Sequence, residues 1–330
     1  MKYILTLNIC QVENPPSPLT FHNKRVLAQV TRRVTLRYNN VMPDTPAIIR
    51  RVIVAAYPKI PDALTEAAAM NSYLEEHGLE STFGTVEDGS LRKRVKDGKF
   101  DLFVAVGGDG TMLRASHLCA PCHVPILGIN MGRLGFLMQF GREQWHSALE
   151  QLLKGDYWLE NRMMLRAEHT RAGESLGHWH ALNEAVVCRT AAVRPVRVSA
   201  SVDGMQLTNY VADGLVAATP TGSTAYALAA GGPILPPELR NILLVPIAPH
   251  LSIDRAVVLS EGSFVSITLR GGDAVLSVDG QIPVGLAEGD IVDVRAGEYI
   301  AQFVRFGDRG YFYRNLTAHM NQNPLVGFPR

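Results

Sequence analysis

Nowhere in the 330-residue chain does an uncharged apolar run approach the roughly 18 residues a membrane helix needs, so a helical membrane span is not expected. Residues 1–10 are apolar for too short a stretch, and no small-residue cleavage pattern follows them. Cysteine is scarce: four residues are too few for the disulfide framework of a secreted protein of this size, and the cytoplasm is the expected compartment. Charge of one sign is not in excess, with 32 Lys plus Arg against 31 Asp plus Glu. A broad basic face of the kind that seeks nucleic acid or anionic membrane is therefore not expected, and any anion site must be local. Internal repeats and low-complexity tracts are missing. So are Gly-x-x-x-x-Gly-Lys-Ser/Thr and Gly-x-Gly-x-x-Gly, which means that a nucleotide, if bound, is held in some other way.

What is present is enough apolar residue, 47%, to fill real cores, and a length that suits about two domains. Residues 1–47 carry Pro15, Pro16, Pro18, Pro43 and Pro46 around a basic stretch without helical or strand period, and read as an extension, partly ordered at best. The β-branched run 51–56, a helix over 61–78, the apolar run 101–106, a helix over 111–118 and the run 124–130 alternate strand with helix. That is the pattern of a parallel sheet covered on both faces, an α/β, Rossmann-like domain over 48–145. From about residue 157 the texture changes to short strands at 163–168, 181–189, 196–202, 215–218, 263–269, 274–278 and 291–294. A β-rich, sandwich-like domain over 146–298 is expected, with 299–330 returning to pack on the first.

Gly107-Gly108-Asp109-Gly110-Thr111 falls between an apolar strand and a helix, at the carboxyl end of a strand where open α/β sheets bind ligands. Glycines let backbone approach a phosphate, and the following helix offers amides and partial positive charge. Asp109 is out of place beside an anion unless it serves a metal or accepts a proton from an attacking hydroxyl; a plain helix cap is the competing reading. The stretch Thr219-Pro220-Thr221-Gly222-Ser223-Thr224-Ala225-Tyr226, running on through Ala227, Leu228 and Ala229 to Gly231-Gly232, combines four hydroxyl side chains with a fixed turn. It suits either a neutral cradle for phosphate or sugar, or a helix-capping loop. Asn183-Glu184 and Asp213-Gly214 stand at strand ends; carboxylates accept from ribose hydroxyls and an Asn amide both donates and accepts, although ordinary turns use the same residues. The segment His117-Leu118-Cys119-Ala120-Pro121-Cys122-His123 has metal-like spacings but too few assured ligands, and no protein-bound metal is expected there.

These segments, in this order over residues 50–316, resemble the NAD kinase family. The Gly-Gly-Asp-Gly-Thr turn is shared with phosphofructokinases and with diacylglycerol and sphingosine kinases, so alone it admits a lipid or sugar kinase. The stretch from Asp213 through 219–226 to Gly231-Gly232-Pro233 is specific to NAD kinases. A silent nucleotide-binding regulator would have lost Asp109 or Glu184, and both are present. The resemblance implies phosphoryl transfer from ATP, or from polyphosphate, to the 2′-hydroxyl of the adenosine ribose of NAD, with Mg²⁺ or another divalent cation accompanying the donor. Asp109 is implied as the catalytic base. Gly107, Gly108, Gly110 and Thr111 form the donor loop, and Asp109, Gly110, Arg114, Asn183, Glu184, Arg194, Asp213, Thr224, Ala225, Tyr226, Ala227, Leu228, Ala229, Ala248 and Gln281 contact nucleotide. Ala227 and Ala229 replace frequent serines and Val211 a frequent basic residue, but none of these changes removes a carboxylate. NAD and ATP are the implied partners, with a dimer or tetramer of like chains and neither nucleic acid nor membrane.

Because the proline-rich stretch precedes the first credible strand, we predict that a chain beginning at Ala47 folds and keeps its activity. Loss of soluble protein, or of most turnover, on this truncation would show that the extension packs on the body.

Overall fold

The structure is a computed structural model and describes residues 49–132, 135–190, 194–250 and 253–320. The extension expected over residues 1–47 lies outside the described residues.

The first half alternates β1 (Arg51–Ala56), α1 (Ala63–Glu76), β2 (Glu80–Thr85), α2 (Gly89–Lys96), β3 (Leu102–Gly107), α3 (Asp109–Cys119), β4 (Ile126–Asn130), β5 (Phe140–Gly141) and α4 (Trp145–Leu153). Strands β2, β1, β3 and β4 lie side by side and parallel. β1, β3 and β4 are buried almost throughout, as continuous apolar runs must be when helices cover both faces. Val52, Val54, Val104 and Ile129 face α1 and α4, while Ile53, Phe103, Ala105 and Ile126 face α2 and α3.

Then follow β6 (Trp158–Arg171), β7 (Glu174–Ala181), β8 (Glu184–Arg189), β9 (Val196–Val202), β10 (Met205–Ala212), β11 (Gly214–Ala218), α5 (Tyr226–Ala229), β12 (Asn241–Ile247), β13 (Val257–Ser260), β14 (Val265–Gly271), β15 (Ala274–Val278), β16 (Val284–Leu286), β17 (Ile291–Arg305) and α6 (Tyr311–Met320). One six-stranded sheet, β13-β12-β11-β8-β15-β16, is antiparallel throughout. Its inner face meets β6, β9, β14 and β17 across a core that includes Leu165, Val187, Val198, Leu215, Leu244, Ile267, Leu276 and Val294. β14 and β15 alternate buried and half-buried residues, the signature of a sandwich strand.

β17 unites the two halves. It pairs with β6 along its length, with β14 through its first residues, and with β4 in parallel at Phe303↔Ile126. The chain is thus an α/β domain with a parallel sheet joined to a β-rich domain, and the C-terminal segment returns to the first. The boundary expected at residue 299 falls within β17 and not in a linker. Pairing with β6 shifts register between Ala296 and Ile300 at that point.

The far end of the sandwich holds a buried ionic group. The Asp290 carboxylate accepts from Arg171 Nε at 2.8 Å and Nη2 at 2.9 Å, from the Ala287 amide at 2.8 Å, and pairs with His169 Nε2 at 2.7 Å. The Arg171 bonds above all, then the Ala287 amide and His169, hold this carboxyl well below the usual range despite its burial. A depressed folded pKa gives stability that is present above the ordinary value near 4 and lost as pH falls below it. We predict that Asp290→Asn costs roughly 3 kcal/mol at neutral pH, because it removes the counter-charge of Arg171 and disturbs the buried contact with His169. Thermal melts should show this deficit shrinking below about pH 4, where the wild type begins to lose the same interaction. An unchanged melting temperature at neutral pH would refute it.

Candidate active site

β3 ends at Gly107 and α3 begins two residues later, so Asp109 occupies the first position of the helix with Gly108 as its cap. The sequence suggested a helix from residue 111; the structure starts it earlier. The turn is closed from within: the Gly108 amide donates to Thr111 Oγ1 at 3.2 Å, and Thr111 is buried. Gly107 is packed so closely on Thr111 that a Cβ would collide with that hydroxyl. Both residues therefore shape the turn. The Asp109 carboxylate accepts from the Phe136 amide at 3.2 Å, and Gly135 lies so near that any side chain there would strike it. Arg114, exposed one turn along, donates to the Gly110 carbonyl at 3.3 Å and lies over the Tyr57 ring.

α3 reaches the second half of the chain through His117. Its Nε2 is 2.7 Å from Asp279 Oδ2, and its Nδ1 is 3.2 Å from Gln281 Nε2. Asp279 follows β15 in the left-handed region, φ 46°, a conformation that Asp tolerates better than most residues, and Gly280 continues it. This turn aims the carboxylate inward, where it accepts the amides of Leu182 at 2.7 Å, Asn183 at 2.9 Å and Glu184 at 3.0 Å. The Asn183-Glu184 segment is thereby held beside the helix that bears Asp109.

Glu184 is buried, and its Oε2 meets no hydrogen-bond partner among the described residues. Burial first, and the neighbouring Asp279 carboxylate second, push its carboxyl up to about 8, against a backbone hydrogen bond from Tyr226. Tyr226 is 45% exposed, and partial burial of its phenol first, then Cys188, Asp213 and Glu184 nearby, raise its pKa against Arg189. Asp213 pairs with Arg189 at 2.9 Å.

Of the two readings open for the 219–224 loop, its hydroxyls make the bonds of a self-capping loop. Thr219 Oγ1 donates to the Leu182 carbonyl at 2.5 Å, Ser223 Oγ donates to the Pro220 carbonyl at 2.6 Å, and Thr221 Oγ1 accepts from Arg162 at 3.2 Å. Thr219, Thr221 and Ser223 are buried, and Thr224 donates to the Thr221 carbonyl. These hydroxyls build the loop because a buried polar group must find its partner inside the protein. Gly222 packs so tightly on the Asn183 backbone that a Cβ would overlap the carbonyl carbon. Ala227 is buried under the six-stranded sheet, while Tyr226 and Ala229 face outward and Ala225 and Leu228 are half-buried.

Asp109, Gly110, Arg114, Asn183, Glu184, Tyr226 and Gln281 are thus linked through α3 and the Asp279 turn, and Asp213 joins them through Tyr226. Ala248, exposed at φ 44°, follows Ile247, whose carbonyl accepts the Asp213 amide. Arg194 is exposed and makes no hydrogen bond or ion pair with the described residues. Sequence reasoning missed the roles of His117 and Asp279; the Asp-Gly pair at a strand end was the available signal. It also missed Arg162, which ties Thr221 to Glu160 at 2.7 Å, and Arg305, which reaches the Leu137 carbonyl at 3.0 Å. The Cys119 thiol is buried, which pushes its pKa well up, and no group of three His, Cys, Asp or Glu able to hold a metal occurs among the described residues.

A carboxyl raised in the folded state costs stability once the unfolded chain has ionised. For Glu184 that cost grows from about pH 4.5 to about pH 8 and then levels. We predict that Glu184→Gln raises the melting temperature of the ligand-free protein by an amount that increases over this range. A difference that stays flat with pH would show the carboxyl to ionise normally.

Residues 60–157 match the ATP-NAD kinase N-terminal domain and residues 182–306 the ATP-NAD kinase C-terminal domain. The chain is 38% identical over 277 residues to an NAD kinase of Chloroflexus aurantiacus, covering 84% of this chain and all of the relative. It is 42% identical over 234 residues to an NAD kinase of Heliobacterium modesticaldum, covering 70% and 82%. Among solved structures, yeast NADH kinase complexed with NADH superposes with a TM-score of 0.73 at 25% identity, covering 85% of this chain and 89% of that one. An NAD kinase from Archaeoglobus fulgidus in complex with ATP gives 0.65 at 27%, covering 82% and 98%. With both domain models matched in order and relatives alike over most of their length, this chain belongs to the NAD kinase family.

Proposed function

We propose that this protein phosphorylates NAD, moving the terminal phosphoryl group of ATP to the 2′-hydroxyl of the adenosine ribose to give NADP. The observation that carries the reading is the placement of Asp109, at the mouth of a strand-to-helix turn, on the same helix whose His117 pairs with Asp279, the carboxylate that accepts the Asn183 and Glu184 amides. One side of the site suits a polyphosphate. Gly108 and Gly110 are neither left-handed nor crowded by protein, so their missing side chains leave space for a ligand against the helix N-terminus. The other side suits a dinucleotide, with Asn183 and Glu184 offering acceptors and a donor, Asp213 at the rim and the exposed Tyr226 ring available for stacking. In this division residues 48–145 serve the donor and residues 146–298 serve NAD, with Arg114, Arg194, Ala248, Gln281 and residues 224–229 completing the contacts.

Asp109 accepts the proton of the attacking hydroxyl as the new P–O bond forms, and the ADP leaves in line. Positioning and charge neutralisation supply most of the acceleration in such transfers. A divalent cation would arrive with the triphosphate and neutralise its charge, with oxygen ligands drawn from phosphate and water. The reading extends to a cytoplasmic enzyme, supported by the free thiols of Cys119, Cys122 and Cys188. A dimer or tetramer rests on the family resemblance alone. Balanced charge supports small molecules, and not nucleic acid or membrane, as partners.

One observation favours a second assignment of the base: the Glu184 carboxyl, raised to about 8, lies nearer the working pH that proton transfer favours. Two variants separate the readings. With saturating ATP and Mg²⁺, Asp109→Asn should lower turnover by a factor of roughly 10² or more while NAD affinity, measured by calorimetry, changes little. Glu184→Gln should weaken NAD binding as well. Near-wild-type turnover in Asp109→Asn, with loss confined to kcat in Glu184→Gln, would move the base to Glu184. The same assay with polyphosphate in place of ATP identifies the donor.

A further inference from the structure

α3 carries Asp109 at its first position and His117 eight residues later, about 12 Å along the helix axis. Apolar packing already glues this helix to the dinucleotide side, since Met112, Leu118 and Leu182 share one core cluster. Such packing is not directional. It holds two surfaces together but leaves small slides along the interface weakly opposed. The His117 imidazole is different, because one loop grips both of its nitrogens: Asp279 Oδ2 is 2.7 Å from Nε2, and Gln281 Nε2 is 3.2 Å from Nδ1. An amide N–H from Gln281 to Nδ1 leaves the proton on Nε2, which then donates to Asp279. The carboxylate thereby takes four N–H donors, three of them the successive amides of residues 182–184. Four donors fill its acceptor capacity, and the Asp279 side chain is fully shielded from solvent. The node can move only as a unit.

We propose that His117 and Asp279 are positioning residues for catalysis: through this link the helix that bears Asp109 sets the placement of the Asn183-Glu184 turn, and so of the acceptor ribose. Neither side chain needs to touch the reacting atoms. The proposal rests on Asp109 as the base and on the 183–184 turn as the NAD side of the site. A misplacement of about 1 Å can cost a factor near 10² in turnover, whereas binding tolerates such shifts better.

The test compares His117→Ala, His117→Asn and His117→Gln in the full chain, with kcat at saturating NAD and ATP, NAD affinity by calorimetry and melting temperature. The Gln amide reaches about as far as Nε2–H; the Asn amide stops one bond short. The expected result is a loss of kcat of about tenfold or more in Ala and Asn, with NAD affinity within about threefold of wild type, and recovery of most turnover in Gln. Should Ala fold poorly, Asn against Gln gives the same contrast between two polar side chains. Unchanged kcat in Ala and Asn, whatever happens to melting temperature, overturns the proposal, as does an equal loss in all three variants. Asp109→Asn is assayed alongside. Retained turnover there would sink the assignment of the base, whereas an inactive Asp109→Asn beside a fully active His117→Ala would sink the link alone.

Discussion

A buried carboxylate is stable only when donors fill its lone pairs, and at Asp279 every donor comes from the two segments that bear the candidate chemistry: the helix of Asp109 and the turn of Asn183 and Glu184. The arrangement of the site follows from that requirement. Asp279 takes a left-handed backbone to aim inward, Gly280 continues the turn, and residues 182–184, which lead into β8, offer their amides to it. The same charge has a second effect. Placed beside Glu184, it opposes a second ionisation and helps to keep that carboxyl protonated at neutral pH.

Around this node lie two kinds of wall. Beside Asp109 the walls are backbone: Gly107 closed on Thr111, Gly135 closed on Asp109, and Gly108 and Gly110 left open. Beside Asn183 and Glu184 they are built from side-chain hydrogen bonds, with Thr219, Thr221 and Ser223 locking a loop that Gly222 seats against Asn183. The buried Arg162 and Arg305, paired to Glu160, reach both sides, one through Thr221 and the other through the Leu137 carbonyl, next to the Phe136 amide that meets Asp109. Rigid support of this kind suits transfers governed by position.

Local pattern made part of this legible. The apolar runs of β1, β3 and β4, and β9 and β15 at their full extent, could be read from the sequence because burial on one or both faces dictates composition. The glycine-rich turn was legible for the same reason. The hydroxyls of 219–223 were visible, but whether they face a ligand or their own loop depends on tertiary burial, and the structure turns them inward. His117 and Asp279 are 162 residues apart and could not be paired by periodicity. β2 and β10, with scattered polar residues, and β12, interrupted by Pro246, lack a clean period, so they appear only once their neighbours are in place.

β17 also governs how the molecule comes into being. It supplies the partner that β4 needs at Ile126, lines β6 from Trp158 to Thr170, and borders β14, yet its residues 291–305 are nearly the last of the described chain. Until the ribosome has released them, the parallel sheet has an open margin and the sandwich lacks a central strand. Long-range pairing of this sort is slow and exposes apolar edges while it waits. Completion of both cores therefore waits for residues 291–305, and a nascent chain halted before residue 291 leaves two unfinished sheets for chaperones to shield.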